Sequence, residues 1–358
     1  MGDTVSSRGY AWGLQTDYQT AKAVAPGAFT RILASDENTI DYNPQINNDE
    51  GVAHGKNQAT EQWLEGHDCS VQRSMPAYVD QLGRVFILNL GDYSVATPGG
   101  GTTSKEHKFK PQDPSVSRQG KAVTYLETTG PGYNVSMPRA VANGFTLRGD
   151  GNGILTVDFG LQGAGKVDPA STATWSPAAT PSVTDPTDRV KFFNTQVALT
   201  ATPSGESAVV YGCRYRMFEM AYEQTLLLEA GFKPGCQDFL VPGDPTSGVI
   251  RSACEFDKQR LSFSFEVDMA SGSPELVLVQ NQKPIDILLT ATGPLIEGAI
   301  RKKLSVIVPV SHYRTSKPSV KNGIYTFAIS GEGFFDYATS KLLEVQLINT
   351  IASYATGW

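Results

Sequence analysis

The sequence feature that most constrains the fold is a strand–turn–strand pattern that occurs twice. The first copy spans residues 145–160 and turns at Gly149-Asp150-Gly151. The second contains Gly331-Glu332-Gly333 at the same offset of 182 residues and continues through residues 342–347. Both copies alternate apolar and polar side chains, which places one face of a strand on a core and the other toward solvent or a partner. The sequence therefore predicts a chain built from antiparallel hairpins.

Composition agrees with a mainly β fold. The 358 residues include 35 glycines and 21 prolines, which favour short strands joined by turns. The chain has 30 lysines and arginines against 36 aspartates and glutamates, a net charge of −6 that argues against a general nucleic-acid binder. No stretch approaches the ~18 to 20 apolar residues of a membrane helix, so we expect a soluble protein with no membrane partner.

Two helices are predicted among the strands. The first covers residues 76–90, where Ser74 can cap the start and Gly91 can close the end. The second covers residues 274–281 and has Pro274 in its first turn. Each helix is expected to flank the strands of one β unit.

A second offset supports an internal repeat. Pro76 and Pro274 are separated by 198 residues, as are residues 105–111 and 303–309. The order strand, helix, strands and hairpin thus occurs twice, and we interpret the chain as a divergent tandem duplication. Chance similarity between two β-rich halves is the alternative.

The expected domain organisation follows from this repeat. Residues 1–28 are predicted to form an N-terminal arm, with at most one short strand. Residues 29–163 form the first β domain, and residues 191–358 form the second. Residues 164–190 are rich in Ala, Thr, Ser, Pro and Asp, which indicates a linker. Within the first domain, residues 41–60 are polar and are predicted to form a long surface loop that contacts an adjacent subunit.

The glycine-rich segment from Gly160 to Lys166 has the spacing of a phosphate-binding loop. Val167, however, replaces the Ser or Thr that would hold magnesium, and Asp168 with Pro169 replaces the start of a helix. A turn that ends the hairpin is the better interpretation.

Other reactive residues form no convincing site. His67, Asp68 and Cys69 are adjacent, but alternation along a strand would point Asp68 away from the other two. The remaining candidates are scattered histidines, linker carboxylates and a glycosylation sequon, namely His54, His107, His312, Asp185, Asp188 and Asn134 with Ser136. The four cysteines lack paired spacing and are expected to be free, mostly buried thiols. We therefore predict no catalytic, cofactor-binding or metal-ligating residues, and no enzyme.

Several short segments occur in a recognisable order along most of the chain. They are Gly-Leu-Gln-Thr-Asp-Tyr at residues 13–18, Gly-His-Asp-Cys-Ser-Val at 66–71 before the Pro-started helix, Lys-Pro-x-x-Pro-Ser at 110–115, Leu-Ser-Val-Ile-Val-Pro-Val at 304–310, the strand at 325–335 and Leu-Glu-Val-Gln-Leu-Ile-Asn at 343–349. In pattern and order, from about residue 10 to 354, the chain resembles the tail tube (major tail) proteins of long-tailed, siphovirus-type bacteriophages.

The resemblance implies a structural virion protein of the phage tail. In that family, β-sandwich units with a flanking helix join their sheets into a barrel around a channel, and the rings stack into a tube that conducts DNA during ejection. The implied partners are further copies of the chain, the tape measure protein and the tail terminator, with assembly in the bacterial host cytoplasm. Many relatives carry one unit per chain, so two units here favour a ring of three chains over a hexamer.

A stand-alone carbohydrate- or protein-binding β-sandwich is the alternative function. Such a module would use aromatic side chains as a binding platform, for which Trp12, Trp63 and Trp175 are available. Their positions in the predicted arm, loop and linker argue against a single platform.

Overall fold

The architecture was derived from a computed structural model. It describes residues 9–19, 29–35, 38–49, 61–128, 134–151, 153–169, 183–184, 189–227, 238–239, 249–251, 254–269, 274–321 and 323–356. The predicted mainly β class with two helices is confirmed: the described residues form 21 strands in one hydrogen-bonded network and two α-helices. None of the helices in these ranges is long and apolar enough to cross a membrane.

The elements follow one another in this order: β1 (Gly9–Leu14), β2 (Phe29–Ile32), β3 (Asp41–Asp49), β4 (Glu61–Pro76), α1 (Val79–Leu90), β5 (Gly91–Ala96), β6 (Lys105–Pro111), β7 (Ala122–Thr128), β8 (Asn134–Asp150), β9 (Thr156–Gln162), β10 (Asp168–Pro169), β11 (Val183–Thr184), β12 (Val197–Pro203), β13 (Val209–Val210), β14 (Tyr215–Leu227), β15 (Asp238–Phe239), β16 (Val249–Ile250), β17 (Glu255–Asp268), α2 (Pro274–Asn281), β18 (Ile285–Glu297), β19 (Ile300–Lys321), β20 (Ile324–Gly333) and β21 (Glu344–Asn349). Two 3-10 turns, Asn194–Gln196 and Gly212–Arg214, precede β12 and β14.

Eight of these strands form a continuous antiparallel sheet, called here the central sheet. Its spatial order is β3, β4, β9, β8, β14, β17, β20, β19. The first four strands come from the first half of the chain and the last four from the second half. The pairing of β8 with β14 therefore joins the two halves edge to edge.

Two long strands leave the central sheet and build further layers. The N-terminal part of β8 pairs with β7, which continues through β1 to β2. The N-terminal part of β19 lies between β18 and β21, and β21 also pairs with β6. Apolar side chains of these layers, of α1 and of the inner face of the central sheet form one large core. The core is thus shared by both halves of the chain.

Helix α1 begins later than the sequence predicted. Residues 74–76 belong to β4, where Ser74 pairs with Asp158 of β9, so Ser74 is not the helix cap. Residues 74–76 pair with β9, so their backbone hydrogen bonds are made across the sheet rather than within a helix. The predicted end is confirmed, because Gly91 has a φ of 79° and its N–H bonds to the Ile87 carbonyl. Helix α2 covers the predicted 274–281.

The first predicted hairpin is confirmed and the second is wrong. β8 and β9 pair directly across the 145–160 segment. β20 and β21, in contrast, are not partners: β20 pairs with β17 and β19, and β21 pairs with β19 and β6. Gly331 lies inside β20 and makes no turn. A Cβ at this position would lie 2.3 Å from the Phe263 ring and 2.5 Å from the His312 carbonyl oxygen. The glycine leaves room for neighbouring strands.

A repeated β-bulge relates the two halves by a different offset. In β8 the register shifts between Ala142 and Gly144, with Gly144 opposite Gly160 of β9. In β19 it shifts between Tyr313 and Thr315, with Thr315 opposite Ser330 of β20. The bulge therefore equates β8 with β19 and β9 with β20. The predicted offsets of 182 and 198 residues are wrong for these strands.

Three further predictions need correction over the described residues. Residues 41–49 form β3 rather than loop, because a polar strand can lie at the edge of a sheet that has one polar face; residues 50–60 lie outside the described residues. The predicted arm contains the one short strand it allowed for, β1 at residues 9–14, but this strand lies within the sheet between β2 and β7 with Trp12 fully buried. Parts of the predicted linker pair with the first half, as β10 with β8 and β11 with β2.

The C-terminal segment packs onto the first half. The Tyr354 ring covers Gly83 of α1, where a Cβ would lie 2.2 Å from the ring. The Tyr354 hydroxyl donates to the Asp80 carbonyl oxygen at 3.1 Å and accepts from Asn349 Nδ2 at 2.6 Å. Residues 29–163 and 191–358 contribute separate runs of strands to the central sheet but share one core. Their division into two domains stays a prediction.

Candidate functional site

The outer face of the central sheet is mainly polar. Apart from Met217 of β14, which is 39% exposed there, its side chains are small, polar or charged, in contrast to the aromatic and aliphatic side chains on the inner face. This polar face carries Ser70, Gln72, Ser74, Thr156, Asp158, Thr146, Arg148, Glu219, Ala221, Glu223, Arg260, Ser262, Ser264, Ala328, Ser330, Glu332, Arg314, Thr315 and Lys317. The sheet therefore presents a continuous hydrophilic surface across both halves of the chain.

Arg148 connects three strands of the polar face where the halves meet. Its guanidinium lies 3.0 Å from the Asp158 carboxylate on β9 and 3.1 Å from the Glu219 carboxylate on β14. All three side chains are partly exposed, so the pairs contribute little stability. Their effect is to neutralise the arginine on both sides.

Glu332 makes a similar arrangement in the second half. Its carboxylate accepts from Arg260 of β17 and from Arg314 of β19, each at 2.6 Å. Hydrogen bonds from Arg260 and Arg314 lower the pKa of Glu332, so the group stays ionised. A shallow depression of about 330 Å³ lies over this cluster and reaches Glu219. Arg148, Arg260 and Arg314 therefore each have a carboxylate within 3.1 Å.

The inner face anchors this surface to a rigid core. The Phe86 ring of α1 packs edge-on against Phe145 of β8, with ring centroids 5.3 Å apart. Phe145 in turn lies 5.7 Å from the Tyr222 ring of β14. The junction of the two halves is thus packed on its inner side and ion-paired on its outer side.

The two end strands of the central sheet each have one edge without a strand partner among the described residues. β3 pairs only with β4. Beyond Ser311, β19 pairs only with β20. Unpaired edges expose backbone donors and acceptors to other strands and favour association.

The glycine-rich segment at residues 160–166 does not form a phosphate cradle. The Gly163 N–H bonds to the Cys69 carbonyl oxygen at 2.8 Å, and the Gly163 carbonyl oxygen accepts from Arg251 at 2.9 Å. A Cβ on Gly165 would lie 2.3 Å from the His67 carbonyl oxygen. The segment packs against β4 and then continues into β10, in agreement with a turn.

His67 and Cys69 face the interior, and Asp68 faces outward, as the alternation predicted. The Tyr42 ring stacks on His67 at 5.5 Å, and its hydroxyl bonds to His67 Nδ1. Asp68 pairs with Arg251 at 3.0 Å. Burial raises the pKa of the Cys69 thiol to about 11, so the thiol is protonated near neutral pH and is a poor nucleophile.

The other candidate residues are separated from one another. His107 is buried between Tyr93 and Asn349, whereas the His312 ring lies edge-on to Phe334 at the surface. Asn134 is buried and accepts from the Thr128 hydroxyl. His54, Asp185 and Asp188 lie outside the described residues. Within the described ranges, no group of three His, Cys, Asp or Glu could hold a metal ion.

Trp12 cannot serve a binding platform. Its side chain is fully buried, with its ring 5.2 Å from the Phe159 ring. The side chains of Trp63 and Trp175 lie outside the described residues. Alternation predicted a polar side on single strands but not that these sides join into one face, although alternate residues of β8, β9 and β14 carried its signal in Arg148, Asp158 and Glu219.

Comparison with known proteins gives a family match over most of the chain. The model of a family described as phage tail tube protein matches residues 10–294. No curated protein matches the sequence. Among solved structures, a mutant of the Hcp1 protein from E. coli EAEC 042 is similar over 38% of this chain and 86% of its own, with 13% identity and a TM-score of 0.22.

Proposed function

We propose that this chain, which belongs to the phage tail tube protein family and is a structural component of the virion tail, self-assembles into closed rings. These rings stack to form the tail tube. The polar face of the central sheet lines the channel, and the apolar inner face holds each subunit together. The observation that carries this proposal is the continuous eight-stranded sheet with a polar face and, at each end, an edge that no described strand pairs with.

Ring closure explains both free edges. Chains that pair head to tail, β19 to β3, would continue the same sheet from one chain to the next. A heterologous contact of this kind closes into a ring when the rotation between subunits completes a full turn. Closure into a barrel removes every edge and so prevents open-ended aggregation through the sheet.

We propose three chains per ring. Each chain supplies two four-stranded runs, which the repeated bulge relates to each other as tandem units. Three chains give roughly 24 strands, which at ~4.8 Å spacing make a barrel about 37 Å wide before strand tilt widens it. Two chains would give only about 24 Å between backbones, too narrow for a DNA duplex about 20 Å wide once side chains line the wall.

The charge of the polar face suits a conduit. A lumen with unpaired arginines would bind DNA phosphates and slow ejection. Arg148, Arg260 and Arg314 are each paired with a carboxylate, which supports passage of DNA without specific binding. The role is structural rather than catalytic, and the separated histidines and protonated Cys69 thiol are consistent with it.

The remaining partners follow from membership of the family and stay predictions. They are the tape measure protein inside the tube, the tail terminator at its end, and assembly in the cytoplasm of a bacterial host. A stand-alone carbohydrate- or protein-binding module is less well supported, since Trp12 is unavailable as a platform.

Negative-stain microscopy of the purified chain tests the proposal. We expect rings or hollow tubes, with sedimentation showing species much larger than the 38.5 kDa monomer. A protein that stays monomeric at high concentration, and that is absent from the tails of virions carrying its gene, would contradict the proposed role.

A further inference from the structure

We propose a specific contact between successive chains: the edge of β19 in one chain pairs antiparallel with the edge of β3 in the next, with Lys317 opposite Asp41. The inference rests on the proposed function, because it assigns the interface that closes the ring. The partner is a second copy of this chain.

The junction inside the chain provides the template for this contact. There β8, the last strand of the first run, pairs antiparallel with β14, the first strand of the second run. In its register, Thr146 lies opposite Ala221 and Phe145 lies opposite Tyr222. If the two runs are equivalent, the last strand of the second run, β19, meets the first strand of the next chain, β3, in the same way.

The bulge fixes which residues of β8 and β19 correspond. It places Gly144 and Thr315 at equivalent positions, because each lies just after the register shift. Counting along both strands from there, Thr146 corresponds to Lys317. Phe145 corresponds to Ser316 by the same count.

The neighbouring strands fix the correspondence at the other edge. Gly160 lies opposite the bulge of β8, and Ser330 lies opposite the bulge of β19. Thr156 and Thr326 each lie four residues before these positions, and they pair with Pro76 of β4 and Asp268 of β17, respectively. Pro76 and Asp268 therefore correspond.

Six residues earlier in each strand, Ser70 corresponds to Ser262. Ser70 pairs with Asp41, and Ser262 pairs with Ala221. Asp41 therefore corresponds to Ala221, and Tyr42 to Tyr222. This identity of two tyrosines was not used to set the register, and so it supports the alignment.

Transferring the internal junction to the ends of the chain places opposite charges together. Ala221 opposite Thr146 becomes Asp41 opposite Lys317, and both of these side chains are exposed on the polar face. The internal junction has its own cross-strand pair, Arg148 with Glu219 at 3.1 Å. Each junction of the ring then carries one ion pair on the lumen side.

The inner side of the contact is also complementary. Tyr42, 39% exposed in the single chain, would lie beside Ser316. The Ser316 hydroxyl oxygen is buried and has no hydrogen-bond partner among the described residues. A neighbouring strand at this edge would cover the Tyr42 ring and bring polar backbone groups close to Ser316.

Charge reversal tests the register. Asp41→Lys and Lys317→Asp each place like charges opposite one another, so we expect each to lower tube formation by roughly tenfold or more in sedimentation and microscopy. The double variant restores opposite charges and should recover at least about half of the wild-type yield. Lys303→Asp is the matched control, since Lys303 is exposed on the part of β19 that already has two neighbours. Circular dichroism of each variant checks that it folds.

Each outcome separates the register from the function. Wild-type protein that forms no rings or tubes would overturn the proposed function. Wild-type tubes with unaffected single variants, or with no recovery in the double variant, would overturn only this contact. A loss confined to Asp41→Lys, with Lys317→Asp assembling normally, would point to pairing of β3 with another β3 and would also overturn it.

A disulfide provides an independent measurement. In the variant with both Asp41→Cys and Lys317→Cys, oxidation of assembled tubes should link successive chains around the ring. A non-reducing gel is then expected to show a ladder that ends at three chains, and each single cysteine variant should show none. Absence of the ladder in intact tubes would contradict the contact.

Discussion

The stability of the contact between the C-terminal segment and the first half should depend on the protonation of His107. The His107 side chain is fully buried beneath the Tyr354 ring, with ring centroids 4.8 Å apart. Nε2 donates to Asn349 Oδ1 at 3.0 Å, and Nδ1 accepts from the Tyr93 hydroxyl at 2.9 Å. Both ring nitrogens are satisfied in the neutral form. Lowering the pH is therefore the perturbation of choice.

The sign and size of the effect follow from the pKa. Burial lowers the pKa of His107 from 6.5 to about 4 in the folded protein. Between these values the unfolded chain binds the proton and the folded chain does not, so stability is complete above pH 6.5 and falls as the pH drops toward 4. The shift corresponds to a loss on the order of 2–3 kcal/mol by about pH 4.

Urea unfolding at several pH values between 7 and 4 measures this loss, under conditions where light scattering detects no assembly. His107→Gln should remove this contribution and flatten the profile relative to wild type by about 2 kcal/mol. His312→Gln removes a histidine outside this contact and is the matched control. The difference between variants cancels the titration of carboxylates. Identical pH profiles for wild type and His107→Gln would refute the reasoning.

Three further predictions concern single side chains. Tyr354→Ala should cost about 3–5 kcal/mol in the free energy of unfolding, because it empties the site over α1, whereas Tyr354→Phe should cost only about 1 kcal/mol; equal costs would contradict the packing argument. Arg73 is fully buried and lies 3.4 Å from Glu127. Arg73→Met should lower the free energy of unfolding by about 3–5 kcal/mol, and adding Glu127→Leu should recover part of that loss. No recovery in urea unfolding would count against a buried ion pair. Arg148→Ala should change stability by less than about 1 kcal/mol and should not increase the retention of duplex DNA by tubes, whereas Glu219→Ala, which leaves Arg148 with a single carboxylate, should increase it; the opposite order in a filter-binding assay would count against a neutralised lumen.

Local patterns were sufficient to predict a mainly β chain, two helices and one hairpin. Strict alternation from Ile154 to Phe159 identified the buried face of β9, and Gly91 identified the end of α1. These signals lie within a few residues of one another and depend on local side-chain chemistry. They therefore survive in any tertiary context that buries one face.

Longer-range pairing could not be read from the same patterns. Gly331 in a Gly-Glu-Gly segment has the appearance of a turn, but here the absent side chain accommodates the Phe263 ring. The start of α1 was misplaced because Pro76 suits both a first helical turn and the end of an edge ladder. The bulges after Ala142 and Tyr313 depend on partners that lie 19 and 18 residues away, respectively, so no spacing within either strand reveals them.

The two halves of the chain show why the predicted strand pairing was wrong. Segments with the same local pattern, such as residues 145–151 and 327–333, occupy different places in the sheet. The equivalent strands, β8 and β19, share their pairing and their bulge but little sequence. Pairing register is set by neighbours across the sheet. The polar face and the junction between halves are therefore properties of the folded sheet.

A three-dimensional reconstruction of the assembled tube tests the central claim most directly. We expect rings of three chains, each contributing the eight strands of the central sheet, with the polar face toward the lumen and β19 of one chain beside β3 of the next. The symmetry should be three-fold, with an approximate six-fold repeat from the two runs in each chain. A ring of six chains, or a lumen lined by the layer of β18, β21 and β6, would contradict the account.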